Sequence, residues 1–279
     1  MPQPQPAPPI ILCFAATDPS GGAGLAADIL AISAMGGYAL PVVTAITVQD
    51  TLGVEDVHPL DAEWVADQAR CVLEDMPVAA FKIGVMGSVE IVAAIAEVVS
   101  DYPEIPLILD PVLASEGGDA LANEQVIIAM RELLLPQTTV LTPNVLEARR
   151  LASHDGDEED PDLDECAGRL IGMGCEFVLI TGTHESGPQV TNRLYGSEGL
   201  IQALHWDRLQ GSYHGSGCTL ASSLAAAMST GAELQQACQD AQAFTWNTLA
   251  HGFRPGMGQM VPDRMFWAHD PEEPGDGDA

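Results

Sequence analysis

The sequence predicts an α/β fold in which a mostly parallel central sheet carries helices on both faces. Residues 10–16 (IILCFAA) form a short, continuous apolar run, which suits a strand that is buried on both sides. Strand-like and helix-like stretches alternate along the whole chain. The 279 residues, 47% of them hydrophobic, can build a sizeable core and contain no internal repeat or linker. One domain over residues 10–268 is therefore predicted.

The elements follow one another from the first strand onward. The turn-rich loop TDPSGGAG comes after that strand, and a helix over 25–37 is closed by glycine. Further strands are predicted from short apolar runs at 38–50, 80–86, 106–112, 139–144 and 175–182. Further helices are predicted at 59–76, 88–102, 126–136, 145–152, 162–174, 217–231 and 233–253. Residues 193–212 are expected to add an antiparallel hairpin at the sheet edge.

The chain is strongly acidic, with 10 Lys and Arg against 40 Asp and Glu and a formal net charge of −30. Such a surface repels nucleic acids and anionic membranes, so neither is expected as a partner. Like charges also oppose compaction, and salt relieves this repulsion, so a salt-adapted source is the favoured explanation. The alternative is that acidic segments such as 154–165 and 269–279 inflate the count.

The chain ends and the cysteines indicate where in the cell the protein is expected. Residues 1–9 carry no basic residue and no apolar stretch, so a disordered arm rather than a signal peptide is predicted. An acidic disordered tail is predicted over 269–279. No apolar run reaches the ~18 residues of a membrane span. The six cysteines form no CxxC pair, which favours reduced thiols and a cytoplasmic location.

The strongest candidate site is the tetrad Gly215, Ser216, Gly217 and Cys218, which precedes an apolar helix. Glycines let the backbone approach a ligand, and the N–H groups at a helix start form an anion site. Cys218 is expected in the first turn, where the helix dipole lowers the pKa of a thiol. The alternative is an ordinary glycine-rich helix cap.

Polar side chains at two strand ends suggest a metal site. Asp110 closes the run PLILDPV, and Asn144 and Glu147 lie at the end of TVLTPNVLE. Oxygen ligands of this kind suit Mg²⁺. A capping box, in which Asn is the N-cap and Glu follows three residues later, fits the same residues equally well.

Two nucleotide-binding motifs are absent or weak. Lys82 is the only lysine, so a Walker A loop is excluded. Phosphate binding would therefore depend on backbone amides, metal and arginine. Residues 22–27 match the dinucleotide pattern G-x-G-x-x-G/A, but TDPSG separates the glycines from the strand. The alternatives for residues 22–27 are a loop–helix junction and a substrate-binding loop. A dinucleotide-dependent dehydrogenase therefore ranks last among the candidate functions.

With these motifs placed, the sequence resembles the hydroxymethylpyrimidine/phosphomethylpyrimidine kinases of thiamine synthesis, from about residue 11 to about residue 267. The matching motifs occur in the family's order at 18–54, 82–88 (KIGVMGS), 110–112 (DPV), 133–151 and 215–227 (GSGCTLASSLAAA). The resemblance implies a ribokinase-like fold and transfer of the γ-phosphoryl group of ATP with Mg²⁺. The implied acceptors are 4-amino-5-hydroxymethyl-2-methylpyrimidine and then its monophosphate, and a homodimer is implied as well.

The same resemblance implies roles for individual residues. The pyrimidine edge is expected to bond to Gln49, with Asp28, Met86 and Gly24 in the same pocket. The anion hole is expected from the 215–218 amides, with Cys218 where sugar kinases of the superfamily place an aspartate base. The nucleotide and phosphate side is expected to contain Asp110, Asn144, Thr181 and Gly182. The metal is expected at Asp110 and Glu147.

Three positions depart from the family pattern. Ala16 stands where a glycine is frequent, 113–121 (LASEGGDAL) lacks the usual lysine, and Thr181 stands where the nucleotide-side motif has a lysine. A threonine there resembles pyridoxal kinases, so a pyridoxal or pyridoxine kinase is the alternative on the same fold. A non-catalytic pyrimidine-binding protein is the alternative from another class.

Overall fold

The computed structural model describes residues 7–114, 118, 121–153 and 161–269. Residues 1–6 of the predicted arm over 1–9 and residues 270–279 of the predicted tail over 269–279 lie outside these residues. Much of the acidic segment 154–165 and of the lysine-lacking segment 113–121 also lies outside them.

Ten strands and eight α-helices are found in the described part of the chain. The strands are β1 (Ile10–Ala15), β2 (Tyr38–Val43), β3 (Ala45–Gln49), β4 (Val54–Pro59), β5 (Val78–Ile83), β6 (Leu107–Leu109), β7 (Val140–Leu141), β8 (Phe177–Ile180), β9 (Gln189–Gly196) and β10 (Gly199–Asp207). The helices are α1 (Gly24–Ala34), α2 (Ala62–Asp75), α3 (Val89–Ser100), α4 (Glu124–Ala129), α5 (Val145–Ala152), α6 (Leu163–Gly172), α7 (Ser216–Ser229) and α8 (Leu234–Ala250).

Eight strands form one sheet in the order β10-β9-β8-β7-β6-β5-β1-β2. From β2 to β8 every neighbouring pair is parallel, whereas β9 runs antiparallel to both β8 and β10. The predicted mostly parallel sheet and the predicted edge hairpin are thus confirmed.

Helices cover both faces because the sheet is apolar on both faces. Along β1, Leu12 and Phe14 enter one core with α2 to α6, whereas Ile11, Cys13 and Ala15 enter the other core with α1, α7 and α8. Successive side chains of a strand point to opposite faces, so a fully apolar run supplies both cores at once.

The prediction of a single strand over 38–50 is wrong. The chain leaves the main sheet at Thr44, whose N–H donates to the carbonyl of Ala15, and continues as β3. β3 pairs antiparallel with β4, which the sequence had not indicated, in a separate two-stranded sheet. This hairpin places Gln49 beside the carboxyl edge of the main sheet.

The helix predicted over 126–136 is only partly regular. α4 ends at Ala129 and is followed by a π-helical turn over Met130–Leu134 and a 3-10 turn over Leu135–Gln137. Pro136 has no backbone N–H to donate, so the α-helical bonding pattern does not extend to it. No described helix is long and apolar enough to cross a membrane.

Candidate active site

The loops at the carboxyl edge of the parallel strands enclose an elongated cleft of about 740 Å³. Ligands of open α/β sheets bind at this edge. Ten of the residues proposed from the sequence line the cleft: Gly24, Gln49, Asp110, Asn144, Glu147, Thr181, Gly215, Ser216, Gly217 and Cys218.

The tetrad 215–218 forms the start of α7. Gly215 is the N-cap residue, and its φ of 87° lies in the left-handed region that favours glycine. A Cβ at Gly215 would collide with the carbonyl oxygen of Gly22, so the two loops touch backbone to backbone. The first N–H groups of a helix have no acceptor within the helix, so this end can receive an anion.

Cys218 occupies the first turn of α7, as predicted, but the predicted lowering of its pKa is wrong. Burial raises the pKa of the Cys218 thiol to about 12, and Asp110 and Asp28 act in the same direction, against the opposing effect of Lys82. The thiol is therefore protonated at neutral pH, and it lies close enough to Asp110 for each group to affect the pKa of the other.

Lys82 lies fully buried behind the cleft. Its Nζ is 2.9 Å from Asp28 Oδ1 and 3.9 Å from Asp110 Oδ2. Burial alone would lower the pKa of Lys82, but the two aspartates and Cys218 raise it above its usual value. Ser222 of α7 also donates to Asp28 Oδ1, at 2.6 Å. The lysine thus joins α1, β5 and the end of β6 beneath the tetrad.

Asn144 and Glu147 form a capping box at the start of α5. Asn144 Oδ1 accepts from the N–H groups of Leu146 and Glu147, and Glu147 Oε2 accepts from the Asn144 N–H at 2.9 Å. Burial and the nearby Asp110 raise the pKa of Glu147 to about 8. The capping interpretation is therefore correct, and it leaves the metal role open.

The carboxylates of Asp110 and Glu147 also fit a Mg²⁺ ion. Asp110 Oδ2 is buried without a hydrogen-bond partner, and Glu147 is close enough for their charges to oppose each other. Mg²⁺ in phosphate-transfer sites takes one or two carboxylates and completes its shell with water and phosphate oxygens. No group of three or more His, Cys, Asp or Glu that could hold a metal occurs among the described residues. Two carboxylates at this position suit an ion that arrives with a nucleotide.

A polar chain that sequence reasoning missed runs along the opposite wall. His214 Nε2 lies 2.8 Å from Gln49 Nε2 and 2.8 Å from Asp18 Oδ2. Asp18 also accepts from the N–H groups of Ser20 and Ala23, and these bonds with His214 hold the pKa of Asp18 below its usual value despite burial. Both missed residues adjoin quoted motifs, since His214 precedes the tetrad and Asp18 begins DPSGGAG.

The remaining predicted residues lie in different surroundings. Asp28 is paired with Lys82 behind the cleft wall, and Met86, 4% exposed, packs in the core on the α2–α6 face of the sheet. Thr181 lies at the cleft, next to Asn144 in a parallel bridge, and the N–H of the buried Gly182 donates to Asn192.

The few basic residues of this acidic chain concentrate here. Of the ten lysines and arginines, Arg150 and Arg208 line the cleft, and Lys82 and Arg264 are buried directly behind it. The carboxyl groups of Asp18, Asp110, Glu147 and Asp207 line the same cleft, so its lining carries groups of both signs.

Residues 18–263 match a family model described as phosphomethylpyrimidine kinase. The chain belongs to this family. A hydroxymethylpyrimidine/phosphomethylpyrimidine kinase of Streptomyces coelicolor is 36% identical over 271 residues, which cover 96% of this chain and 98% of the relative.

Solved structures related to the phosphomethylpyrimidine kinase family share the architecture. The phosphomethylpyrimidine kinase of Clostridium difficile is 31% identical with a TM-score of 0.72, covering 85% of this chain and 97% of its own. The pyridoxal kinase of Bacillus subtilis, solved as an ADP complex, is 25% identical with a TM-score of 0.85, covering 95% and 100%. The predicted family and the predicted ribokinase-like fold are confirmed.

Proposed function

We propose that this chain transfers the γ-phosphoryl group of ATP to 4-amino-5-hydroxymethyl-2-methylpyrimidine, and then to the resulting monophosphate, in thiamine biosynthesis. The observation that carries the proposal is the position of the α7 N-terminus beside Gln49 in one cleft. A helix end that binds anions, next to an amide that both donates and accepts, suits phosphoryl transfer to a small polar heterocycle. Family membership and the fold support the same reaction class.

Gln49 is the proposed recognition group for the pyrimidine. Because the pKa of Asp18 is lowered, the carboxylate is ionised and accepts a hydrogen bond from His214 Nε2. The amide atom of Gln49 that faces the same Nε2–H is therefore assigned as the oxygen, which shares that hydrogen, since two donors do not pair. The Gln49 amide nitrogen is thereby directed to the proposed position of the pyrimidine, where a ring nitrogen can accept a hydrogen bond from it.

The tetrad 215–218 is the proposed anion hole. Donors aimed at the place where charge develops are the largest single contribution in many phosphoryl and acyl transfers. The first-turn residues of α7 line the cleft together with Gly24 of the acceptor loop, and this supports the proposed role. Asn144, Thr181 and Gly182 belong to the proposed nucleotide side.

Asp110 and Glu147 are the proposed residues for a Mg²⁺ ion bound with the nucleotide. When bound there, the ion would neutralise the charge of the phosphate oxygens. When the metal is absent, the negative charges of the two carboxylates repel each other. This repulsion raises the affinity of the pair for a cation.

The proton of the hydroxymethyl group is proposed to leave through Cys218 in the first step. Phosphoryl transfer has a loose transition state, so the acceptor needs a place for its proton rather than a strong base. The thiol lies beside Asp110, so the sulfur is proposed to take the hydroxyl proton as its own proton passes to that carboxylate. In the second step the acceptor is an ionised phosphate, and no such transfer is required.

Coupled ADP release with the hydroxymethyl pyrimidine and with pyridoxine as rival acceptors tests the proposal. We expect kcat/KM for the pyrimidine to exceed that for pyridoxine by about tenfold or more. No ADP release with either acceptor would contradict the proposal and favour a non-catalytic binding protein.

A pyridoxal or pyridoxine kinase is the second candidate. Thr181 and the similarity of the fold to a pyridoxal kinase favour it. A higher kcat/KM for pyridoxine in the same assay would establish this candidate instead.

We also propose a cytoplasmic homodimer. The outward face of the β3–β4 hairpin exposes Ile46 and Val48, which a second copy would cover. The cysteines of the described residues are free thiols, which suits a reducing compartment. A single monomeric mass in solution scattering at working salt would contradict the dimer.

A further inference from the structure

Arg264 is buried at the seam between the two glycine loops of the cleft. Its side chain is 2% exposed. Nη2 donates to the carbonyl oxygen of Gly22 at 2.6 Å and to that of Gly215 at 3.3 Å, and Nε donates to Thr219 Oγ1 at 2.9 Å. One guanidinium therefore contacts the acceptor loop, the N-cap of α7 and its first turn.

The backbone that carries Arg264 is itself fixed to the site. The Asp263 N–H donates to the Thr248 carbonyl of α8, and the Met260 N–H donates to the Ser212 carbonyl. The His214 N–H in turn donates to the Met260 carbonyl at 2.8 Å. The segment that follows α8 thus forms a rigid support from which the arginine reaches the loops.

The contact with Gly215 has a geometric consequence for the anion hole. The carbonyl of Gly215 and the N–H of Ser216 belong to one planar trans peptide, so they point in opposite directions. This carbonyl accepts the helical bond of the Thr219 N–H at 3.0 Å, and contacts from Arg264 and from Thr219 Oγ1, the latter at 2.7 Å, add to it. The Ser216 N–H is thereby kept on the cleft side.

The partners of Arg264 also leave its charge without a close counterion. Among the described residues, its hydrogen bonds go to neutral oxygens, and Asp18 and Asp28 act on it only at longer range. A buried cation without a paired anion is costly, and an anion that enters nearby reduces the cost. A phosphoryl group in the adjacent tetrad is such an anion.

We infer that Arg264 is a positioning residue for phosphoryl transfer, which holds the acceptor loop and the anion-hole loop in register and supplies positive charge behind them. This inference rests on the proposed function. Lysine keeps the charge but has no planar fork, so it cannot make the three contacts together.

Arg264→Lys is the decisive variant, with Arg254→Lys as the matched control on an exposed arginine of the same C-terminal segment. We expect Arg264→Lys to lower kcat for both phosphorylation steps by about 10- to 100-fold, because small displacements of reacting groups have effects of this size. The KM for ATP should change by less than about threefold. In Arg264→Ala, added guanidinium should restore part of kcat, whereas NaCl of equal ionic strength should not.

A second variant covers the case in which Arg264→Lys fails to fold. Thr219→Val keeps the shape of that side chain but removes the oxygen that receives Arg264 Nε, and should lower kcat by about 3- to 10-fold. Wild-type kcat in whichever of these two variants folds would overturn the inference, as would a lowered unfolding temperature with unchanged kcat. If the wild-type chain itself does not phosphorylate the pyrimidine, the proposed function fails, and that failure is separate from the role of Arg264.

Discussion

The two sides of the cleft are held by different kinds of contact. On the acceptor side, which comprises residues 16–24, 47–54, 212–218 and 260–264, buried side chains connect loops that are distant in sequence. His214 lies between Gln49 and Asp18.

On the nucleotide side, which comprises residues 142–150, 181–192 and 206–209, many side-chain bonds go to the backbone of a loop, and Asn192 and Trp206 also donate to Gln242 of α8. Arg208 donates to the carbonyls of Thr183, Glu185 and Gly187. Asn192 accepts from the Gly182 N–H.

The difference shows where this site tolerates change. The backbone of this loop is held by the side chains of Arg208 and Asn192, so a change in the side chain of Thr181 itself need not alter the shape of the loop. The acceptor side depends on a few specific side chains, so single substitutions there should have large effects on turnover. The predictions below test this contrast, beginning with the largest expected effect.

Gly215→Ala should nearly abolish turnover. Its φ of 87° is unfavourable for alanine, and the added Cβ would collide with the backbone of Gly22. We expect kcat to fall by about 100-fold or more, because the anion hole and acceptor loop move apart.

Gly199→Ala is the matched control for this change. Gly199 has a φ of 101° in the β9–β10 turn, with nothing within 4 Å of an added Cβ. It should lose about 1 kcal/mol of stability and keep its kcat. Equal losses of kcat in both glycine variants, measured by steady-state kinetics, would argue against a specific role for the Gly215 contact.

Cys218→Ala should affect the two phosphorylation steps unequally. We expect kcat for the hydroxymethyl acceptor to fall by about 10- to 100-fold and kcat for the monophosphate acceptor to change by less than about threefold. Separate assays that start from each acceptor measure this, with Cys71→Ala on the exposed face of α2 as control. Equal losses in the two steps would show that Cys218 has no step-specific role.

The pH dependence of the first step provides a further check on Cys218. Because the thiol pKa is raised to about 12, the thiol stays protonated near neutral pH. The kcat of the wild-type protein should therefore show no titration of Cys218 between about pH 6 and pH 9.

Salt should stabilise the whole molecule by a smaller amount. The net charge of −30 is spread over the chain, and KCl screens repulsion between exposed carboxylates. We expect the unfolding temperature to rise by about 2–4 °C between 0.1 and 1 M KCl, or about 1 kcal/mol. Sucrose of equal osmolality separates screening from solute exclusion, and no rise in KCl would contradict the salt-adapted interpretation.

The sequence predicted most of the fold because its strands and helices are marked by local patterns. The run 10–16 and the Asn–Glu pair at 144 and 147 are signals of this kind. The break after β2 was missed because the apolar pattern continues through Thr44, and only tertiary bonds turn the chain away.

The missing parts of the site are those made by long-range contacts. Asp18 and His214 are 196 residues apart, and Gly22 and Arg264 are 242 residues apart. No local pattern marks such pairs, so Arg264 carries no signal in its own neighbourhood. The predicted lowering of the pKa of Cys218 was wrong for the same reason, because the burial of the thiol beside Asp110 outweighs the effect of the helix dipole.

The most direct test of the account is Gln49→Ala, with each substrate varied in turn and Gln236→Ala, an exposed glutamine of α8, as control. Removing the amide leaves polar atoms of the pyrimidine unpaired, at a cost of about 1–3 kcal/mol, whereas His214 keeps its bond to Asp18. We predict that the KM for the pyrimidine rises about 10- to 100-fold, whereas the KM for ATP changes by less than about threefold. An unchanged pyrimidine KM with a lowered unfolding temperature would show that Gln49 only stabilises the end of β3, and would contradict the assignment of the acceptor side.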